Sequence, residues 1–205
     1  MSNSNLLVRI DSSARGAESN SRHLTDYLTR QLLEREGELQ LVSHDVGENP
    51  FPQVTAEQLK SIHGSLPSDA PDVLAQQALS DELVEEVLQT RYLVIGAPMY
   101  NFGIPANLKT WIDHICRARK TFHYTANGPE GLSGIDEAFV VVASGGAPVG
   151  SAVDFVSSYL KHVLGFIGVR KVHIINAGGS GADVEGVRAR AKAQIDELVG
   201  SLAEA

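Results

Sequence analysis

The chain has 205 residues, 17 Lys plus Arg against 25 Asp plus Glu, a formal charge of −8 and a single Cys. That length predicts one domain, residues 1–205, with a core large enough to need no disulfide or metal staple. The acidic balance argues against a nucleic-acid partner, which is met by a basic face, but it leaves room for a local anion site. The start carries no basic, apolar leader of the secretory kind. No apolar run approaches the roughly 20 residues of a membrane span, so a cytoplasmic protein without membrane contact is expected.

Leu6-Leu7-Val8-Arg9-Ile10 reads as a first strand, followed by the polar loop Asp11 to Asn20. Leu24, Tyr27, Leu28 and Leu32 then share one face of a helix, and Gly37 suits its stop. Leu39 to Ser43 predicts a second strand. A long connection, 45–77, carries Pro50, Pro52, Pro67 and Pro71, with a short helix expected around Ala56 to Ile62. Connections of this length are functional or disordered. Ser80 with Asp81 and Glu82 suits a helix start, continued by Leu83, Val87 and Leu88. Leu93-Val94-Ile95 is the third strand.

Pro105 suits the first turn of the next helix, where Leu108, Trp111, Ile112, Ile115 and Cys116 form one stripe. Cys116 on that stripe reads as core rather than as a nucleophile. Arg117, Arg119 and Lys120 read either as a solvated helix end or as cations for an anionic nucleotide. Residues 118–136 form a second polar insertion. Phe139 to Val142 is the fourth strand, and Val156, Tyr159, Leu160, Val163 and Leu164 mark a helix. Val172 to Ile175 is the fifth strand, and Val184, Val187, Ala191, Ile195 and Leu198 mark the last helix.

Five strands alternating with five helices predict an α/β fold with a parallel sheet covered on both faces. Strands one, three and four are continuous apolar runs, as central strands are. Strands two and five admit Gln40, Ser43 and His173, as edges do. The expected sheet order is therefore 2-1-3-4-5, the flavodoxin-like three-layer sandwich.

In such a sheet, ligands sit outside the carboxyl ends of the strands, where the order reverses. Three loops meet there. The first carries Ser13, Ser19, Asn20 and Ser21 directly before a helix. Hydroxyls and free N–H groups at a helix start suit a phosphate, although an ordinary N-cap explains the same residues. The second loop carries Met99, Tyr100, Asn101 and Phe102 between paired Gly and Pro. That is a rigid apolar wall for a flat ring, or ordinary loop packing. The third carries Ala143, Ser144, Gly145 and Gly146. Its paired Gly allow close backbone approach to a ligand, or simply a tight turn. A phosphate site, a ring wall and a ring-edge site on one rim are what a flavin mononucleotide (FMN) requires.

Competing signatures fail. No Gly-x-x-x-x-Gly-Lys-Ser/Thr loop occurs. Gly178-Gly179-Ser180-Gly181 would need Gly in place of Val184 to match the dinucleotide fingerprint, and no further strand follows it. No Gly-x-Ser-x-Gly elbow is complete. The seven His show no metal-ligand spacing, so no metal site is expected. A receiver domain would need an acidic residue after strand three, where Gly96-Ala97-Pro98 stands. A non-enzymatic adaptor of this fold would take up no FMN.

The sequence resembles the FMN-dependent NADH-azoreductases, quinone-reducing enzymes of the flavodoxin-like fold. The resemblance runs along nearly the whole chain. It is carried by Ala97 to Phe102, Thr121 to Leu132, Tyr159-Leu160 with Leu164 to Gly168, Pro67 to Pro71 and Leu79 to Leu83. It implies FMN-phosphate contacts at Ser13, Ser19, Asn20 and Ser21, and ring contacts at Met99 to Phe102. It implies flavin-edge contacts at Ala143 to Gly146, and substrate-facing aromatics at Tyr124 and Phe166. It further implies NADH or NADPH as electron donor, and quinones and azo compounds as acceptors. Turnover would be two-electron, ping-pong hydride transfer with no obligatory catalytic side chain. The working unit would be a homodimer with the flavins at its interface. The two insertions, 45–77 and 118–136, are where partner contacts are expected, or they are simply surface loops. The alternative is a flavodoxin-like electron carrier that serves protein partners and needs no aromatic lid.

Overall fold

The computed structural model describes residues 5–62, 69–181 and 183–202. Pro67 and Ser68, part of the family-like segment in the first insertion, lie outside the described residues. Strand β1 (Leu6–Asp11) leads through a 3-10 turn (Gly16–Glu18) into helix α1 (Asn20–Glu36). Gly37 ends α1 at φ 63°, donating its N–H to the Leu33 carbonyl, a left-handed conformation that a Cβ would penalise. Then come β2 (Gln40–Asp45), α2 (Ala56–Ile62), α3 (Pro71–Gln89) and β3 (Thr90–Pro98). Helix α4 (Ala106–Ile115) precedes a hairpin of β4 (Phe122–Thr125) and β5 (Gly128–Gly131). The chain continues with β6 (Glu137–Ala143), α5 (Phe155–Phe166), β7 (Lys171–Ala177) and α6 (Val184–Ser201).

The main sheet is parallel throughout, in the order β2-β1-β3-β6-β7. This is the expected 2-1-3-4-5 order once the hairpin strands are set aside. The two-residue period of a strand sends alternate side chains to opposite faces. Val8, Ile10, Leu93, Ile95 and Val140 pack under Leu83 of α3, Trp111 of α4 and Leu160 of α5. Leu7, Val94, Phe139 and Val141 pack under Leu28 of α1 and Ile195 of α6. The result is a flavodoxin-like α/β/α sandwich. No described helix is long and apolar enough to cross a membrane.

Three local expectations change. Helix α3 begins at Pro71, well ahead of Ser80; a proline at the first helical position gives up an N–H that has no partner there. Ser80 is a buried mid-helix residue whose hydroxyl donates to the His114 carbonyl at 2.7 Å and accepts from Arg117 Nη1 at 2.6 Å. What resembled a cap is a tie between α3 and α4. The same contact decides Arg117, which is buried and also reaches Asp81 at 3.2 Å. Arg117 is therefore neither a solvated helix end nor a nucleotide cation. Pro105 stands one place earlier than expected, at the N-cap of α4. Cys116 does pack, partly buried, against the core, and burial pushes its thiol up to about 11, which disfavours the nucleophilic thiolate.

The second insertion folds as the β4–β5 hairpin. It is fastened to the end of α5 by Ser133 N–H on the Ile167 carbonyl at 2.9 Å. A Cβ on Gly131 would overlap the Gly168 backbone, so the close approach requires Gly there. Because α5 connects two parallel strands, it runs antiparallel to them. Its first residue lies at the carboxyl edge of the sheet and its last at the opposite edge.

Asp154 caps α5 and holds the preceding loop. Its carboxylate accepts from Val156 N–H and Ser157 N–H, both at 2.9 Å, and from Gly150 N–H at 2.7 Å. Burial by itself raises its pKa, but the hydrogen bonds from Ser157, Gly150 and Val156 outweigh that and hold the carboxyl below its ordinary 3.8. A depressed carboxyl stabilises the fold above its unfolded pKa and loses that contribution as pH falls through the folded value. Asp154→Ala should therefore lower the unfolding free energy by about 1–2 kcal/mol at neutral pH. Urea titrations should show that gap narrowing as the pH drops below 3.8.

Candidate functional site

The chain leaves β1 toward β2 on one side and returns to β3 on the other, which opens a crevice at the carboxyl ends of β1 and β3. The first loop, 12–19, is pinned before it reaches that crevice. Ser12 donates to the Gly96 carbonyl through both N–H at 3.2 Å and Oγ at 2.6 Å. Asn107 of α4 donates to the Ser12 carbonyl at 3.2 Å and the Val46 carbonyl at 2.8 Å. Arg22 of α1 donates to the Ser13 carbonyl at 2.9 Å and to Asp45 Oδ1 at 3.1 Å. The loop then delivers Ser19 as N-cap of α1: its Oγ accepts from Arg22 N–H at 3.2 Å and lies 3.0 Å from Ser21 Oγ. Among the described residues, the N–H groups of Asn20 and Ser21 have no partner. Free first-turn donors of this kind, backed by the helix dipole, favour an anion.

The second loop starts with Met99 N–H donating to the Ala143 carbonyl at 2.7 Å. Tyr100 and Gly103 then exchange backbone bonds at 3.0 and 3.1 Å around Asn101 and Phe102. Both central residues are left-handed without being glycine, at φ 49° and 70°. Such conformations cost about 1–3 kcal/mol each and persist only where the surroundings enforce them. Among the described residues their N–H groups are unpaired. Tyr100 Oη accepts from Ala14 N–H at 3.2 Å and stands 3.5 Å from Ser13 Oγ, which ties the first loop to the second.

The third loop is closed by the turn after β7. Ser180 donates to the Ser144 carbonyl through N–H at 3.2 Å and Oγ at 3.0 Å, and Gly181 N–H donates to the Gly145 carbonyl at 2.9 Å. Ser144 Oγ donates to the Ala147 carbonyl. The N–H groups of Gly145 and Gly146 are unpaired among the described residues.

These loops enclose one cleft of about 420 Å³, its open mouth included. Ser13 and Ser19 line it from the first loop, Asn20 and Ser21 from the first turn of α1, Met99 and Tyr100 from the second loop, and Ala143, Ser144 and Gly145 from the third. Asn101 and Gly146 adjoin lining residues in the chain without lining the cleft, and Phe102 lies one residue farther from it. Arg15, Pro98 and Ser180 also line it and were not singled out as site residues in the sequence. The glycine density around Ser180 was a visible signal, but only the sheet order places that turn beside the third loop.

Tyr124 and Phe166 are not brought to this cleft. They form a separate aromatic cluster around Phe122, whose ring lies 4.3 Å from that of Phe166 and 5.6 Å from that of Tyr124. At 1.5 Å per residue, Phe166 lies about 16 Å along α5 from Phe155. It is Phe155 that stands beside the second loop, its N–H on the Phe102 carbonyl at 3.2 Å. Phe102 and Phe155 are 53% and 61% exposed. Phe155 continues into an apolar trough with Ile104 and Tyr159 between α4 and α5.

A protein-family model described as Flavodoxin-like fold matches residues 5–199. The FMN-dependent NADH:quinone oxidoreductase 1 of Hahella chejuensis is 47% identical over 192 residues, covering 92% of this chain and 92% of that protein. The FMN-dependent NADH:quinone oxidoreductase of Dechloromonas aromatica is 39% identical over 196 residues, covering 94% and 98%. Among solved structures, an FMN-dependent NADH-azoreductase from Bacillus anthracis in complex with FMN superposes with a TM-score of 0.86. It covers 98% of this chain and 100% of that one at 22% identity, and so speaks to the fold alone. With relatives aligned almost end to end and the family model spanning residues 5–199, the chain belongs to the family of the flavodoxin-like fold.

Proposed function

We propose that this protein is an FMN-dependent oxidoreductase that passes electrons from NADH or NADPH to quinones and azo compounds. The observation that carries the reading is the donor set of the cleft. Among the described residues, hydroxyls and unpaired N–H groups gather on its lining at the start of α1, a further unpaired N–H lies on its lining at Gly145, and others lie just beyond the lining at Asn101, Phe102 and Gly146. A phosphate fits the first group, and the carbonyl and nitrogen edges of a flat heterocycle fit the others. The curated relatives are named for FMN, NADH and quinone.

A bound flavin would supply the two-electron chemistry. The chain's own residues hold and orient. Ser13, Ser19, Asn20 and Ser21 would take the phosphate, with Arg15 the basic side chain on the same lining, so a chain of charge −8 would hold an anion at a local site. Met99 and Tyr100 would wall one ring face, with Asn101, Phe102, Gly145 and Gly146 donating N–H to ring edges. The left-handed turn at Asn101 and Phe102 would hold those two N–H groups in place before any ligand arrives. One open face, taken in turn by nicotinamide and acceptor, gives ping-pong turnover.

The lid would come from a second copy. Tyr124 and Phe166 lie at the far end of α5 from their own cleft, so in this reading they cover the cleft of the partner in a homodimer. The exposed Phe102 and Phe155, with the trough along α4 and α5, give the contact face. An electron carrier would need neither the aromatic cluster nor this face.

The purified protein should be yellow, release FMN on denaturation and oxidise NADH on addition of a soluble quinone. FMN-loaded protein that leaves NADH untouched would overturn the enzyme reading and favour the carrier. Ser19→Ala with Ser21→Ala should weaken FMN about tenfold while leaving riboflavin, which has no phosphate, unaffected; unchanged FMN affinity removes the phosphate assignment. Sedimentation should find a dimer, and Phe155→Asp should shift it toward monomer and slow turnover. A monomeric wild type with full activity counts against the shared site.

A further inference from the structure

Asn20 borders the cleft, yet its side chain is held from outside it. Arg188 of α6 donates Nε–H to Asn20 Oδ1 at 2.9 Å. Arg188 does not line the cleft. Its side chain is 24% exposed, and its other partner, Glu185, is a solvated carboxylate 3.4 Å away.

The position of Arg188 is set by the way the two helices clasp. Val187 and Ala191 of α6 are buried on the sheet, which turns the neighbouring Arg188 toward α1. Farther along, Tyr27 Oη donates to Asp196 at 2.7 Å, and Arg35 Nη1 donates to the Val199 carbonyl at 2.7 Å. The helices are thus tied at several levels, and the guanidinium is the tie nearest the cleft.

A guanidinium has donors only. Its bond therefore fixes which end of the Asn20 amide faces α6: the carbonyl oxygen. The amide nitrogen is left over, and among the described residues it has no hydrogen-bond partner. An amide turned the other way would present its oxygen to an anion, which is repulsive. Resting on the FMN reading above, we propose that Arg188 is a positioning residue for the cofactor phosphate. By holding Asn20 Oδ1, it keeps the Asn20 N–H₂ edge as a donor to the phosphate.

The test compares FMN with riboflavin, using apo-protein and fluorescence titration. Arg188→Met should weaken FMN about tenfold, leave riboflavin affinity unchanged and leave the melting temperature near that of wild type. Asn20→Ala should weaken FMN by a similar factor. The double variant should be no weaker than Asn20→Ala alone, because the two side chains act as one unit. If Arg188→Met still weakens FMN in the Asn20→Ala background, Arg188 acts by charge at a distance and the positioning role is overturned. Equal losses for FMN and riboflavin, or no loss at all, overturn it too. Should Arg188→Met fold poorly, Asn20→Asp decides: it keeps a partner for Arg188 but deletes the donor edge, so normal FMN affinity there overturns the inference. A wild type that binds riboflavin and FMN equally has no phosphate site, which sinks this inference while leaving a flavin-ring site standing. A wild type that binds neither sinks the cofactor reading itself.

Discussion

The pairing of Asp11 on β1 with Gly96 on β3 is the constraint on which the cleft depends. A parallel register sets both strand ends at one height, so the first two loops leave the sheet side by side. Gly96 is required there because a Cβ would come within 2.8 Å of Asp11 Oδ1. Asp11 is itself buried, and its carboxylate is compensated by Thr25 Oγ1 at 2.6 Å and Arg9 Nε at 2.7 Å. Removing one partner of such a buried pair typically costs about 3–5 kcal/mol, so the Asp11 side chain is held firmly against α1 at the end of β1. The Gly96 carbonyl, freed beyond the register, then receives both donors of Ser12.

From that point the site is built by cross-bracing. Asn107, Arg22 and Tyr100 each reach the first loop from a different element. The bracing holds the loops from other elements, and among the described residues it leaves the N–H groups of Asn20, Ser21 and Gly145 on the cleft lining unpaired. The left-handed turn at Asn101 and Phe102 is the same principle carried into the backbone. Local preference would relax it, and the Tyr100–Gly103 exchange together with the Phe155 contact holds it in place. A site arranged in this way needs little reorganisation when a ligand enters.

The layered core was legible because period is a one-dimensional signal. Alternating residues of β1, β3 and β6 separate into the two cores without exception, and the polar residues of β2 and β7 mark the edges. The errors arose where one residue type serves two purposes. Ser80-Asp81-Glu82 has the composition of a helix cap, but its partners, His114 and Arg117, are distant in the chain. Ser19 shows the opposite outcome: the capping role and the cleft-lining position belong to the same hydroxyl. Composition alone does not separate these cases, because the deciding partner is supplied by another element.

The sequence by itself determined the fold class, the sheet order and the three loops that meet at the switch point, since each rests on local periodicity or local composition. It also carried the family resemblance, which is a property of residues in order. The tertiary structure decided which of those residues share a cleft, and it added Arg15, Pro98 and Ser180. It decided that Tyr124 and Phe166 stand at the far end of α5 from the cleft of their own chain, which helix direction fixes and no motif reveals. It decided that Arg117 is a buried strut and that Arg188 reaches Asn20. The physical reason is common to all of these. A hydrogen bond between residues far apart in sequence leaves no trace in the spacing of either one, and only the packing of rigid helices on a registered sheet brings its two ends together.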